Sequence, residues 1–419
     1  MLHAENITKK QLYLGIFICA IGALFYCYEF ILRILPGILQ QELSMAFGHL
    51  SASAFGQLSA LYYVAYSPMQ LPVGMFVDRL GTRRLLFIAC LCCVIGTWMF
   101  SVFGSLAVAS FGRFIVGFGS SFVFVGVLSL AVEWLPKRYF SSFAGLMTTL
   151  GMLGLVYGEI TITNTAASMG LHHVFLVLII LGLILSGLLI FFVQDSPSKK
   201  KKATLELRAF FLQVTKVLCS KSVWIIGVMG ACLYTSLSVF GELWGNAYLQ
   251  QAHHLTAQQA ANTMSLLFIG WAIGAPLSGF LSDYTGNRVL PLQISAFGAL
   301  ICIAMIIYVP TLSYHSINIL MLLYGVFSGA EIIVFVMAKE YSGATLSGTV
   351  FAATNMIVTL GGVIFQPLVG LLLDYSGDSH LVLGERVYSV IDYHLALSIL
   401  PISLILLIII AYFLKSKRL

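Results

Sequence analysis

Six charged residues stand inside long apolar stretches of this chain: Glu29, Arg33, Arg113, Glu159, Glu242 and Glu331. An ionised side chain in such surroundings is costly unless it faces a cavity or a partner, so each is a candidate for function. Glu29 and Arg33 lie four residues apart and can pair along one helix face, and Arg113 can neutralise Glu29 or Glu159 from another helix. Arginine takes a carboxylate through two parallel N–H bonds, an acid takes an amine, and a carboxyl can hold and release a proton. That chemistry suits a zwitterionic solute with protons as the coupling ion. Two simpler readings of the first pair stay open: it can serve only to hold helices together, or Arg33 can snorkel to the outer surface. Tyr26, Tyr28, Tyr62, Tyr63, Tyr66, Tyr157, Tyr234, Asn246, Tyr324 and Asn355 can complete a pocket, although each singly suits packing or an interface.

The elements that must position these residues follow from composition. Of 419 residues, 59% are hydrophobic and 9% charged, which excludes an ordinary soluble enzyme. Apolar runs between polar breaks predict spans at 11–35, 55–77, 85–103, 106–132, 142–165 and 173–193, then at 222–249, 257–281, 289–309, 317–339, 347–373 and 391–414. The first is expected to be retained and not cleaved as a signal peptide. With the N-terminus in the cytoplasm, 19 of the 22 Lys and Arg fall on one face, all but Arg33, Arg113 and Arg386. The positive-inside rule gives that asymmetry for a chain with both termini cytoplasmic. The net charge of +6 thus reports topology in a lipid bilayer, and no nucleic acid is needed to explain it.

The polar stretch 195–221 contains SPSKKKK and TLELRAFFLQVTKVL, the latter able to form an amphipathic helix. It predicts an N-terminal six-helix bundle at 1–194, a cytoplasmic linker at 195–221 and a C-terminal six-helix bundle at 222–419. Counting about 1.5 Å per residue from the outer ends puts Glu29, Arg113, Glu159 and Glu242 in one layer, with Glu331 deeper. All histidines except His3 fall in or beside outer loops, and no nucleophile stands with a base at matched depth. No metal, no cofactor and no enzyme activity is therefore expected. The eight cysteines are expected as free thiols, seven of them packed as small hydrophobes in apolar runs and Cys219 in the linker.

A repeat supports the two halves. GMFVDRLGTRRL at 74–85 and GFLSDYTGNRVL at 279–290 place Gly74 with Gly279, Asp78 with Asp283, Gly81 with Gly286 and Arg83 with Arg288. Gly74 and Gly279 would allow close helix approach, and Gly81 and Gly286 a tight turn. Asp78 and Asp283 can accept hydrogen bonds at a helix N-terminus, and Arg83 and Arg288 can pair with acids or headgroups.

These loops resemble the signature of the major facilitator superfamily, Gly-x-x-x-Asp-Arg/Lys-x-Gly-x-Arg/Lys-Arg/Lys. The first copy matches at Gly74, Asp78, Arg79, Gly81, Arg83 and Arg84, whereas Tyr284 and Val289 replace basic residues in the second. RFIVGFG at 113–119 is similar to the family's second motif. The resemblance implies an all-α membrane protein: twelve transmembrane helices in two pseudo-symmetric six-helix bundles, rocking about a cavity lined chiefly by spans one, four, seven and ten. Each of those four spans carries a charge. Span five has glycines but no Gly-Pro pair of the drug-exporting antiporters, which disfavours drug export.

YEFILRILP at 28–36 and GQLSALYYVAYSPMQLPVGMFVDRLG at 56–81 are similar to the phagosomal nutrient transporters of intracellular bacteria and, more loosely, to lysosomal dipeptide carriers. That implies a monomeric symporter in a bacterial inner membrane, taking up an amino acid or short peptide. The alternatives are a carrier of a siderophore or other organic anion, imported or exported, and a non-transporting membrane sensor.

Overall fold

Hydrocarbon offers backbone groups no partner, so an apolar run closes its own hydrogen bonds as a helix. The computed structural model describes residues 9–194, 207–341, 347–376, 380–382 and 385–416. Among these, eleven helical stretches are long and apolar enough to cross a membrane. The first half comprises α1 (Lys9–Ile38), the short outer α2 (Gln40–Ala46), α3 (Ala52–Met69), α4 (Val73–Leu80), α5 (Thr82–Phe100), α6 (Leu106–Ser120), α7 (Val123–Trp134), α8 (Lys137–Met169) and α9 (Leu171–Phe192). Then come α10 (Leu207–Leu218), α11 (Lys221–Thr235), a π-helical segment (Ser236–Trp244), α12 (Gly245–His253), α13 (Ala257–Thr285) and α14 (Val289–Tyr308). The chain closes with α15 (Tyr314–Ser328), a 3₁₀ turn (Gly329–Glu331), α16 (Ile332–Tyr341), α17 (Ser347–Ser376), α18 (Val390–Leu397) and α19 (Ile399–Ser416).

The breaks have causes. The expected span 55–77 divides into α3 and α4 around residues 70–72, because Pro68 and Pro72 each withhold an N–H from the helical ladder. Spans four and ten break at matching depths, at residues 121–122 and at Gly329–Glu331, as expected of a duplicated unit whose interrupted helices face a cavity. One element was not foreseen: β1 (His380–Val382) pairs antiparallel with β2 (Glu385–Val387), with Leu381 opposite Arg386. Residues 195–206 of the expected linker lie outside the described residues.

Apolar lipid drives no helix together, so close contact rests on small residues. Gly270 and Gly274 on α13 meet the backbone of α15 at Leu322, Gly325 and Val326, and Gly96 on α5 meets Gly112 on α6. The same device joins the two halves on one side of the protein. A Cβ on Gly56 of α3 would lie 2.7 Å from the Gln366 carbonyl oxygen of α17, and one on Gly37 of α1 would collide with the backbone of Glu242. Asp374, near the end of α17, caps the start of α3 by accepting from the N–H groups of Ala52 (3.2 Å) and Ser53 (2.9 Å).

On the opposite side, beyond the bond from Asn355 of α17 to Gln70 at the end of α3, α4 and the start of α17 line an open space. A cavity of about 1950 Å³ opens there, lined by Gln70, Phe124, Trp271 and Ile332 at depth and by Gly74, Arg79, Arg83 and Gly279 towards its mouth. It opens on the face of the repeated basic loops.

Replacing Gly56 by Leu overpacks the contact with α17, which typically costs about 1–3 kcal/mol. The midpoint of thermal unfolding in detergent is expected to fall, whereas Gly187→Leu, where a Cβ meets nothing within 4 Å, should leave it unchanged. Equal midpoints for the two proteins would show that α3 and α17 do not need this closeness.

Candidate functional site

The charge pair foreseen on α1 is present. Arg33 Nη2 lies 2.6 Å from Glu29 Oε1, and its Nε donates to the same oxygen at 3.2 Å. Both residues are buried, at 4% and 1% exposure, so Arg33 does not snorkel to the surface. Its other donors reach beyond α1: Nε also lies 3.1 Å from the Tyr62 hydroxyl of α3, and Nη1 donates to Tyr234 of α11 at 3.0 Å. The Tyr62 hydroxyl donates in turn to Glu29 by a short bond. Aromatic faces complete the surround, with the guanidinium carbon 4.4 Å from the Phe30 ring centroid and 5.1 Å from that of Tyr66. Taking an ion from water costs several kcal/mol, and charge-assisted hydrogen bonds return about 1.5–3 kcal/mol each. A buried arginine therefore collects partners from several helices.

Glu242 joins from the second half. It sits in the π-helical segment, where the wider turn re-aims side chains relative to an α-helix. Its Oε2 accepts from the Tyr63 hydroxyl at 2.5 Å, and its Oε1 lies 4.0 Å from Arg33 Nη1. Tyr63 and Tyr234 are 3.2 Å apart through their hydroxyls. Glu29, Arg33 and Glu242 thus form one network, carried by α1, α3, α11 and the π segment, at the closed end of the cavity. None of these residues lines the cavity, so of the four spans expected to line it only four and ten do so among the described residues. Trp271, whose ring centroid is 6.3 Å from that of Tyr234, and Gln70, whose amide reaches the Tyr66 carbonyl, stand between the network and the open volume.

The remaining charges go elsewhere. Arg113 does not neutralise Glu29 or Glu159: its Nη1 donates to the Leu32 carbonyl at 2.7 Å and its Nη2 to the Arg33 carbonyl at 2.8 Å. Glu159 on α8 instead accepts from the Asn246 amide of α12 at 3.3 and 3.1 Å, a second link between the halves. Glu331 lies buried on the 3₁₀ turn beside the cavity-lining Ile332, with no ion-pair partner among the described residues. Of the neutral candidates, Tyr62, Tyr63, Tyr66 and Tyr234 join the network and Asn246 holds Glu159. Asn355 Nδ2 donates to Gln70 Oε1 at 3.0 Å, Tyr28 bonds the Leu178 carbonyl, and Tyr157 is 70% exposed on the outside of the bundle.

At the repeated loops, Gly81 and Gly286 take the left-handed φ values of 80° and 60° that a turn there requires. Gly74 and Gly279 do not mark a close crossing: a Cβ on either meets nothing within 4 Å, because the helices stand apart on the open face. Arg83 Nη2 donates to the Ile190 carbonyl at 2.5 Å, a cation at a helix C-terminus, and Arg79 lines the cavity mouth. Asp283, which caps no helix among the described residues, pairs with Arg288 at 2.5 Å, and Arg288 also reaches Glu340 at 3.0 Å. These bonds, with Asp283 first, hold the Arg288 pKa above its ordinary value. The side chain of Asp78 lies outside the described residues. Three acids that tie elements together escaped the sequence reading: Asp374, Glu340, and Glu133, which accepts from Thr82 at 2.9 Å. A signal existed in the matching triplets Ala131-Val132-Glu133 and Ala338-Lys339-Glu340. Gln70 was also missed.

Known proteins are similar to this chain in sequence and in fold. A probable sulfoacetate transporter of Cupriavidus necator is 22% identical over 396 residues, covering 90% of each chain. A lysosomal dipeptide transporter of Danio rerio is 24% identical over 86% of this chain and 80% of its own. The fold matches a bacterial homologue of the human lysosomal transporter Spinster, in an inward-facing and occupied conformation, with a TM-score of 0.74 at 16% identity over 98% of both chains. The family described as the Major Facilitator Superfamily matches residues 10–366, and this chain, a multi-pass membrane transporter, belongs to it.

Proposed function

We propose that this transporter takes up a small zwitterionic solute, an amino acid or short peptide, by proton-coupled alternating access in a bacterial inner membrane. The observation that carries the reading is the Arg33 network, in which one cation and two carboxylates from both halves meet at the closed end of the cavity. A solute carboxylate competes for the Arg33 donors and a solute amine for Glu29 or Glu242. The basic face is the cytoplasmic one, with both termini on it, so the described conformation opens inward. The division into 1–194, 195–221 and 222–419 lets the halves rock about the site.

Rocking the other way opens α3 from α17 and brings the basic loops together. The open space around Gly74 and Gly279 suits them to a close crossing in that state. Glu331 can take and give a proton without breaking an ion pair, which suits it to the coupling step, with Glu159 as a second acid. A lysosomal dipeptide transporter among the relatives supports the substrate class. The anion reading has one observation in its favour, that Arg113 is a buried cation with no carboxylate in ion-pair reach among the described residues.

In proteoliposomes with an imposed inward proton gradient, uptake is expected for amino acids or dipeptides within a panel that includes sulfonates, sugar acids and siderophores. Uptake confined to the anions would replace the zwitterion reading. Arg33→Lys keeps the charge and loses the planar fork, so it should retain less than about a tenth of the wild-type rate, roughly the loss of one charge-assisted bond. A fully active Arg33→Lys protein would remove Arg33 from recognition. Glu331→Gln should abolish gradient-driven accumulation while leaving solute counterflow, and accumulation that persists would assign the proton to another acid.

A further inference from the structure

One of the two backbone carbonyls that Arg113 reaches is the one that a proline in α1 deprives of its helical donor. In an α-helix the carbonyl of residue 32 accepts from the N–H of residue 36, but residue 36 is Pro36, which has no N–H and whose ring presses on that carbonyl. The Leu32 oxygen is thereby left without its helical donor in a buried part of α1. Arg113 supplies one at 2.7 Å, and its second arm takes the neighbouring Arg33 oxygen at 2.8 Å. The side chain is 2% exposed, and its guanidinium carbon stands 4.8 Å from the Tyr62 ring centroid.

Both ends of this clamp bear on parts described above. The carbonyl on Nη2 belongs to Arg33 itself. One residue beyond Pro36, Gly37 packs against the Glu242 backbone. We propose that Arg113 is a positioning residue: it replaces the N–H missing at Pro36, fixes the course of α1, and so aims the Glu29–Arg33 pair at Tyr62 and Glu242 without touching solute.

The test removes the need for the clamp. Pro36→Ala restores an N–H for Leu32, so the cost of Arg113→Gln should shrink in that background. Backbone hydrogen exchange of α1 and the thermal midpoint are read in lipid nanodiscs without solute, so they stand apart from the uptake assay and its outcome. Arg113→Gln alone should speed exchange at residues 37–40 by about tenfold or more, and the double variant should return close to Pro36→Ala alone. A group that only binds solute would leave solute-free exchange unmoved, and a packing role unrelated to Pro36 would give the same loss in both backgrounds; either result overturns the proposal. Arg113→Lys keeps the charge but lacks the planar two-armed fork. It should exchange between the wild type and Arg113→Gln, and full protection with Lys would also overturn the proposal, including where Pro36→Ala does not fold.

Discussion

One buried guanidinium organises the centre of this transporter. Arg33 is out of reach of water, where its N–H donors must find acceptors inside the protein or cost about 1–3 kcal/mol or more. No single helix offers enough of them in the right directions. Glu29 supplies one carboxylate oxygen from the same helix, Tyr62 a hydroxyl from α3, and Tyr234 a hydroxyl from α11, with Glu242 near the same side. Satisfying the cation therefore pulls both halves together at one depth. The fork geometry and fixed charge of arginine make that demand stricter than lysine would.

What surrounds the cation is set by where the backbone departs from a regular helix. Pro36 frees a carbonyl, the π segment re-aims Glu242, and the 3₁₀ turn carries Glu331 beside the cavity. Each departure lies on a span that also bears a charge. The unbroken parts contribute differently: glycines bring backbones into contact at the closed end, where Gly37 and Gly56 leave no space for a side chain. Contact at one end and open space at the other leave a cavity that faces the basic loops.

The sequence carried the fold because hydropathy, basic-residue asymmetry and the duplicated loop report three independent constraints: lipid, insertion and ancestry. The Glu29–Arg33 pair was legible for a local reason, since four residues is one helical turn. Partners across helices were not. Arg113 was expected to seek a carboxylate, yet its acceptors are main-chain oxygens that no sequence pattern displays, although Pro36 marks where one would be free. Glu159 found the amide of Asn246 instead of a cation. The sequence suggests close approach at Gly74 and Gly279, yet a Cβ on either meets nothing within 4 Å, because in this conformation both line the open cavity.

The proposed direction of transport follows from how fully Arg33 is occupied when the cavity faces the basic side. In that state its donors serve Glu29, Tyr62 and Tyr234, so a solute carboxylate must displace a bond already made and gains little. Tyr234 and Glu242 belong to the second half, while Glu29 and Tyr62 belong to the first. A rocking motion that parts the halves at the closed end withdraws Tyr234 and Glu242 and leaves Nη1 of Arg33 without its acceptor. The freed donor then strengthens any bond to an entering carboxylate, and the freed Glu242 can meet an amine. On the proposed reading, affinity would be higher when the site faces outward and lower when it faces the basic side, because the protein would supply its own substitute for the solute there. Under that proposal release on that side would need no separate device, since the network that closes the one end would also expel the cargo.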